Sequence, residues 1–297
     1  MKLEVLTTES RNERTLNLDE MTTLELLELM NEEDAEIAGA VRKEILQIAK
    51  AVDVAIKVRF QGGRLIYMGA GTSGRIGLLD AVECPPTFGV EPSEVVGLIA
   101  GGEHAFAKAV EGAEDNEKLG ADDLEKIGLT PKDVVLGLAA SGRTPYVLGG
   151  LEYAKQIGAS TVAIACNKSS EIGAKADIAI EIVTGSEILT GSTRLKAGTA
   201  QKLICNMIST AAMVGTGKVF GNLMVDLQLT NEKLVERGKR IIMDATDCER
   251  QTAEHYLKMA DFKPKVAILM ILANFSKEDA LKKLTESNGF IKKVLSE

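Results

Sequence analysis

Apolar residues recur at three- and four-residue spacing between positions 22 and 60: Leu24, Leu27 and Met30, then Ile37, Val41, Ile45, Ile48 and Val52. That spacing predicts one amphipathic helical stretch, ended by Gly62-Gly63. The pattern then changes to short, continuous apolar runs. LIYM at 65–68, EVVGLIAGG at 94–102, VVLGLAA at 134–140, STVAIAC at 160–166 and ADIAIEI at 176–182 read as buried strands. The loop GAGTSGR at 69–75 opens a helix to about Val82, and Pro85-Pro86 are expected to stop it, because proline lacks the amide donor and crowds the preceding turn. The acidic stretch from Ala105 to Leu124 reads as helix, as does the segment after SGRTP at 141–145. LKAGTAQKLICNMISTAAMVGTGKVF at 195–220 closes the alternation.

Strands alternating with helices predict an α/β fold, a parallel sheet with helices on both faces. From Asn231 onward no strand pattern remains, and the tail reads as a cluster of short helices. The expected division is an N-terminal helical segment at 1–55, a sheet domain at 56–230 and a small helical domain at 231–297.

Composition narrows the function. The chain has 297 residues, 45% hydrophobic and 26% charged, the balance of a soluble globular protein. Lys and Arg number 35 against 43 Asp and Glu, a net charge of −8, and there is no Trp. Phosphodiester neutralisation and base stacking are both poorly served, so no nucleic-acid partner is expected. The first twenty residues lack the apolar core of a secretory signal. VAILMILANF at 266–275 is too short to span a bilayer and is flanked by Lys265 and Lys277, so no membrane partner is expected. Cys84, Cys166, Cys205 and Cys248 are far apart without CxxC spacing; neither a metal site nor a disulfide framework is indicated, and the cytoplasm is the expected location.

Two loops carry the chemistry. Strand, small-residue loop and helix occur twice, each time with Ser-Gly-Arg: Ser73-Gly74-Arg75 and Ser141-Gly142-Arg143. A loop of this kind presents free backbone N–H groups at the positive end of a helix, which suits a phosphate. Hydroxyls of Thr72, Ser73, Ser141 and Thr144 can add hydrogen bonds, and Arg143 charge. A tight turn without a ligand is the alternative for either loop alone; two at one end of a sheet favour a site. Gly69 to Gly74 formally fits GxGxxG, but a dinucleotide needs an acidic residue at the end of the next strand, which here ends in Ala100-Gly101-Gly102. A nicotinamide cofactor is therefore not expected.

With only His104 and His255 present, acid–base work falls to carboxylates. Glu83, expected at a helix C-terminus, sits where the dipole disfavours a charged carboxylate, and partial burial there would suit a general acid. A surface glutamate beside a helix stop is the plainer reading. Glu114, in GAEDNEK, is equally compatible with a solvated face.

GAGTSGRIGLLDAVECPPTFG at 69–89, GLAASGRTPYV at 137–147 and TGSTRLKAGTAQK at 190–202 closely resemble segments of the bacterial N-acetylmuramic acid 6-phosphate etherases, within the sugar isomerase (SIS) domain superfamily. TESRN at 8–12 and LMNEED at 29–34 also resemble that family. The resemblance implies an SIS-type sheet and cleavage of the ether joining D-lactate to C3 of the sugar. It implies Glu83 as proton donor to the lactate oxygen and Glu114 as the second acid–base residue. It also implies sugar-phosphate contacts at Gly71, Thr72, Ser73, Ser141, Gly142, Arg143 and Thr144, with no metal or other cofactor. Lys196 reads as a helix-face lysine rather than a ligand. About ten helical residues, roughly 15 Å, separate the first loop from Glu83, and this together with the resemblance predicts a homodimer with shared sites. A sugar-phosphate sensor would show the same loops without a task for two glutamates; an aldose–ketose isomerase would need no acid at C3.

Overall fold

The computed structural model describes residues 7–108 and 110–296. The first six residues, part of the segment read as lacking a secretory signal, lie outside them. In chain order, three short 3-10 turns (Thr7–Glu9, Glu13–Thr15, Leu18–Glu20) precede α1 (Thr23–Arg42), α2 (Ile45–Phe60), β1 (Leu65–Gly69), α3 (Gly71–Phe88), β2 (Val95–Ile99) and α4 (His104–Ala107). Then come α5 (Glu117–Lys126), β3 (Val134–Ala139), α6 (Pro145–Ile157), β4 (Ser160–Ala165), α7 (Glu171–Lys175), β5 (Ile178–Glu181) and α8 (Lys196–Gly215). The chain continues through α9 (Glu232–Thr246), α10 (Arg250–Met259), α11 (Pro264–Leu272), α12 (Lys277–Glu286) and α13 (Ile291–Ser296). By internal contacts the described residues form two compact units, those within 7–82 and 93–209 and those within 83–92 and 210–296.

The first unit is built on one parallel sheet in the order β2-β1-β3-β4-β5. Strand alternation gives it two apolar faces. Ile66, Met68 and Val135 pack with Tyr146, Val147 and Leu151 of α6. On the other face Gly77 of α3 lies against Tyr67, whose hydroxyl donates to Cys205 O in α8 at 3.3 Å. The sheet thus carries helices on both faces, as its pattern predicts.

Asp133 fixes the start of this sheet. Its Oδ1 accepts from Arg64 N at 2.8 Å, and its Oδ2 accepts from Arg64 Nη2 at 2.7 Å and Thr130 N at 2.9 Å. The clasp joins the beginnings of β1 and β3, which run in register from Leu65 opposite Val134 to Gly69 opposite Leu138. Burial alone would push this carboxyl up; the Arg64 guanidinium and the donated hydrogen bonds outweigh it and hold it below the usual aspartate range. Asp133→Asn should cost about 2–3 kcal/mol at neutral pH, because it leaves a half-buried guanidinium without its counter-charge. A carboxyl with a lowered folded pKa contributes stability above its unfolded pKa and loses it as pH falls through the folded value. Urea unfolding should therefore show the gap between wild type and variant closing in acid.

Three sequence expectations need correction. The stretch 22–60 is two helices, because Lys43 N bonds Ala40 O and Glu44 N bonds Val41 O at 3.2 and 2.9 Å, a tighter turn than the α-helix. The buried stripe Ile37, Val41, Ile48, Ala51, Ala55, Val58 runs in phase across the break, which is why it reads as one element. Helix α3 does not stop before Pro85-Pro86 but continues to Phe88. Its last turn is held from the second unit's own chain: Gln228 N donates to Pro86 O at 3.3 Å, and Gly89 N to Pro85 O at 2.9 Å. Proline's fixed φ suits a helix, and these two bonds satisfy the Pro85 and Pro86 carbonyls at its end. Finally, 105–124 is not one helix. Gly112 has φ +74°, and Asn116 Oδ1 accepts Leu119 N at 3.1 Å, so the helix begins only at Glu117.

The second unit has its own core, drawn from α9, α10, α11, α12 and α13 around Ile242, Leu257, Ile268, Leu269 and Leu284. The apolar run 266–275 is its centre: every residue from Pro264 to Met270 is buried. Among the described residues no helix is long and apolar enough to cross a membrane.

Candidate functional site

The strand order changes direction between β1 and β3, and the loops after these neighbouring strands leave the sheet at its C-terminal edge. Open α/β sheets bind ligands at such a switch point. After β1 the chain turns directly into α3. Gly69 and Gly74 pack backbone to backbone: a Cβ on Gly74 would lie 2.5 Å from Gly69 O. This draws the first turn of α3, with Gly71, Thr72 and buried Ser73, over the end of β1. N–H groups of a first helical turn have no intrahelical acceptor and carry the positive end of the dipole. Arg75 serves another purpose, donating from Nε to Phe106 O and from Nη2 to Ala105 O, both at 2.7 Å.

The loop after β3 turns at Gly142, whose φ of +76° favours glycine and whose added Cβ would meet Ser170 Cβ at 2.4 Å. Ser141 Oγ accepts from Arg143 N at 3.3 Å, and Arg143 Nε lies 3.4 Å from Glu171 Oε1. Thr144 caps α6 and is buried, and Pro145 occupies the first turn, where a missing N–H costs nothing. Thr144 Oγ1 donates to Glu114 Oε1 at 3.3 Å, and Tyr146 N donates to Glu114 O at 3.0 Å. Glu114, exposed in the turn before α5, is thereby held at the second loop.

The third motif, 190–202, lies between the two loops. Gly198 of α8 is within 3.5 Å, for an added Cβ, of Thr72 Cγ2, while Ala197 clusters with Ala140 and Cys166 beside the second loop. Lys196 is not a helix-face lysine: it is 4% exposed and its Nζ donates to Glu33 Oε2, while Arg14 Nη1 donates to Oε1 of the same carboxylate. Fully buried Glu187 accepts from Lys196 N and Ala197 N at 2.9 Å each, and burial pushes its carboxyl up against the partial relief of those two bonds. Gln201 Oε1 accepts from Ser73 Oγ at 2.8 Å. Asn167 links the N-terminal turn to the second loop, accepting from Thr7 N at 2.9 Å and donating to Thr8 Oγ1 and Ala140 O at 3.0 and 3.1 Å. The available signal was the run TGSTRLKAGTAQK itself; which of its residues face inward is set by the packing of α8 on α3.

Glu83 is exposed, three turns into α3, and its contacts place it in the second compact unit. Because α3 continues past it, the argument from a helix C-terminus does not apply. A cavity of about 500 Å3 in that unit is lined by Lys218, Asp226, Lys263 and Lys265 and contains none of the residues nominated from sequence.

A five-stranded parallel sheet with glycine-, serine- and threonine-rich loops at its switch point is consistent with the fold of the sugar isomerase (SIS) domain proteins. The SIS domain family matches residues 120–211, and the family described as the glucokinase regulatory protein N-terminal SIS domain matches 47–155. The chain is similar to an N-acetylmuramic acid 6-phosphate etherase of Geobacillus sp. (strain WCH70), 63% identical over 99% of each chain. It is similar also to one of Bacillus cereus (strain G9842), 61% identical over 99% of this chain and 100% of that one. A solved phosphoheptose isomerase from Neisseria gonorrhoeae is 14% identical, with a TM-score of 0.49 over 64% of this chain and 98% of that one. The chain belongs to the N-acetylmuramic acid 6-phosphate etherase family.

Proposed function

We propose that the chain cleaves the D-lactyl ether of N-acetylmuramic acid 6-phosphate, giving N-acetylglucosamine 6-phosphate and D-lactate in the recycling of cell-wall amino sugars. The observation that carries this reading is identity above 60% over essentially the full length of named etherases. The converging loops supply what such a substrate asks for. First-turn N–H groups of α3 with Thr72 and Ser73, and the turn Ser141-Gly142-Arg143-Thr144, receive the phosphate and sugar hydroxyls.

Once the sugar ring is open, the proton on C2 lies alpha to an aldehyde. Glu114 removes it, and Thr144 holds the Glu114 carboxylate for that task. Glu83 donates a proton to the C3 ether oxygen as the C3–O bond breaks, releasing lactate and an unsaturated aldehyde. Water then adds at C3: Glu83, now a carboxylate, takes the water's proton, and Glu114 returns its proton to C2. Each glutamate ends in its starting state, and the sum is hydrolysis of the ether. The steps are proton transfers and need no redox cofactor.

The enzyme acts in the cytoplasm as a homodimer, Glu83 of one copy serving the loops of the other. The test of the reaction is direct: purified protein is incubated with N-acetylmuramic acid 6-phosphate and D-lactate is measured. Lactate with N-acetylglucosamine 6-phosphate in equal amounts supports the reading. Ketose product without lactate would make the protein an isomerase, and binding without turnover would make it a sensor.

A further inference from the structure

Gln201 is completely buried, and its side chain is used on one side only. Ser73 Oγ lies 2.8 Å from Oε1, whereas Nε2 has no hydrogen-bond partner among the described residues. A buried N–H without an acceptor is among the rarest and costliest features of a folded protein; an under-used carbonyl oxygen is better tolerated. In that arrangement Ser73 also spends its one hydroxyl proton on Gln201. A phosphate offers only acceptors, so a serine that contacts it must donate.

Turning the Gln201 amide through 180° resolves both conflicts. Nε2 then donates to Ser73 Oγ across the same 2.8 Å, the unpaired atom becomes Oε1, and the Ser73 proton is released. We propose that Gln201 is a positioning residue for the phosphate contact: its amide donates to Ser73 Oγ and thereby turns the Ser73 hydroxyl proton toward the sugar phosphate at the start of α3. The inference rests on the reading of Ser73 as a phosphate contact. The site is built for such coupling, since Gln201 projects from α8 one turn beyond Gly198, where α8 meets Thr72 of the first loop. Gln201 itself does not touch the substrate.

The test is a double-mutant cycle with Ser73→Ala and Gln201→Met, the latter keeping length and volume while removing the amide. Steady-state kinetics are read on N-acetylmuramic acid 6-phosphate. Each single variant should raise KM about tenfold to a hundredfold with kcat within about twofold, the loss of one hydrogen bond to a charged group. The double variant should be no worse than Ser73→Ala, because Gln201 acts through Ser73. Additive losses, or an unchanged KM in Gln201→Met, would overturn the inference while leaving Ser73 as a phosphate contact. An unchanged KM in Ser73→Ala would remove that contact, and the inference with it. If circular dichroism shows Gln201→Met to be unfolded, Gln201→Asn, which withdraws the amide by one methylene, takes its place in the cycle with the same expected non-additivity.

Discussion

Glu83→Gln should reduce D-lactate release about a hundred- to ten-thousand-fold while KM for N-acetylmuramic acid 6-phosphate changes little, the range over which a positioned acid contributes to a rate. The ether oxygen is a poor leaving group, and the amide of glutamine cannot supply the proton it needs. Folding is not at stake, because Glu83 is exposed. Glu114→Gln should cause a loss of the same order by a different route. Its amide oxygen still accepts from Thr144 Oγ1, so the turn before α5 keeps its place, but the C2 proton has no base. The two variants separate if exchange of the C2 proton with deuterated solvent is followed: Glu83→Gln should retain exchange and Glu114→Gln should lose it. A Glu83→Gln enzyme with lactate release near the wild-type rate would take that glutamate out of the mechanism.

The sheet and its loops are legible in the sequence because they obey local rules. Five apolar runs of strand length, each followed by a helix or a small-residue turn, leave little freedom once the strands must be parallel and buried. The repeated Ser-Gly-Arg likewise marks both switch-point loops, yet the repeat conceals a difference. Arg75 is taken up by the carbonyls of residues 105 and 106, while Arg143 faces Glu171. What the sequence conceals depends on partners distant in the chain. Pro85-Pro86 read as a helix stop until Gln228 supplies the contact that holds the final turn. Lys196 looks like a surface lysine until Glu33, from α1, is placed against it. The acidic run 105–124 reads as helix, but Gly112 at φ +74° and the Asn116 cap break it, and the Glu114 carbonyl is taken by Tyr146 N–H at 3.0 Å. The same bond, with the one from Thr144 Oγ1, holds Glu114 at the second loop, which a continuous helix through this run would not.

Mixing two inactive variants should restore activity. If Glu83 of one copy serves the loops of the other, a dimer of one Glu83→Gln chain and one Glu114→Gln chain contains one site with both glutamates and one site with neither. Random re-pairing of equal amounts makes half of the dimers mixed, so the mixture should reach about a quarter of wild-type activity, although each parent is nearly inert. The reason to expect sharing lies in the sequence: Glu83 follows Thr72 by eleven residues, a span of roughly 16 Å at the rise of a helix. A base at C2 and an acid at C3 must both lie within hydrogen-bond reach of one sugar. Glu114 already stands at the second loop of its own chain. Re-pairing is driven by brief exposure to mild denaturant and dilution, with size-exclusion chromatography confirming dimers before assay. Dimers that form but yield only the summed activity of the two parents would place both glutamates of each site on a single chain, and a fully active monomer at high dilution would dismiss sharing altogether.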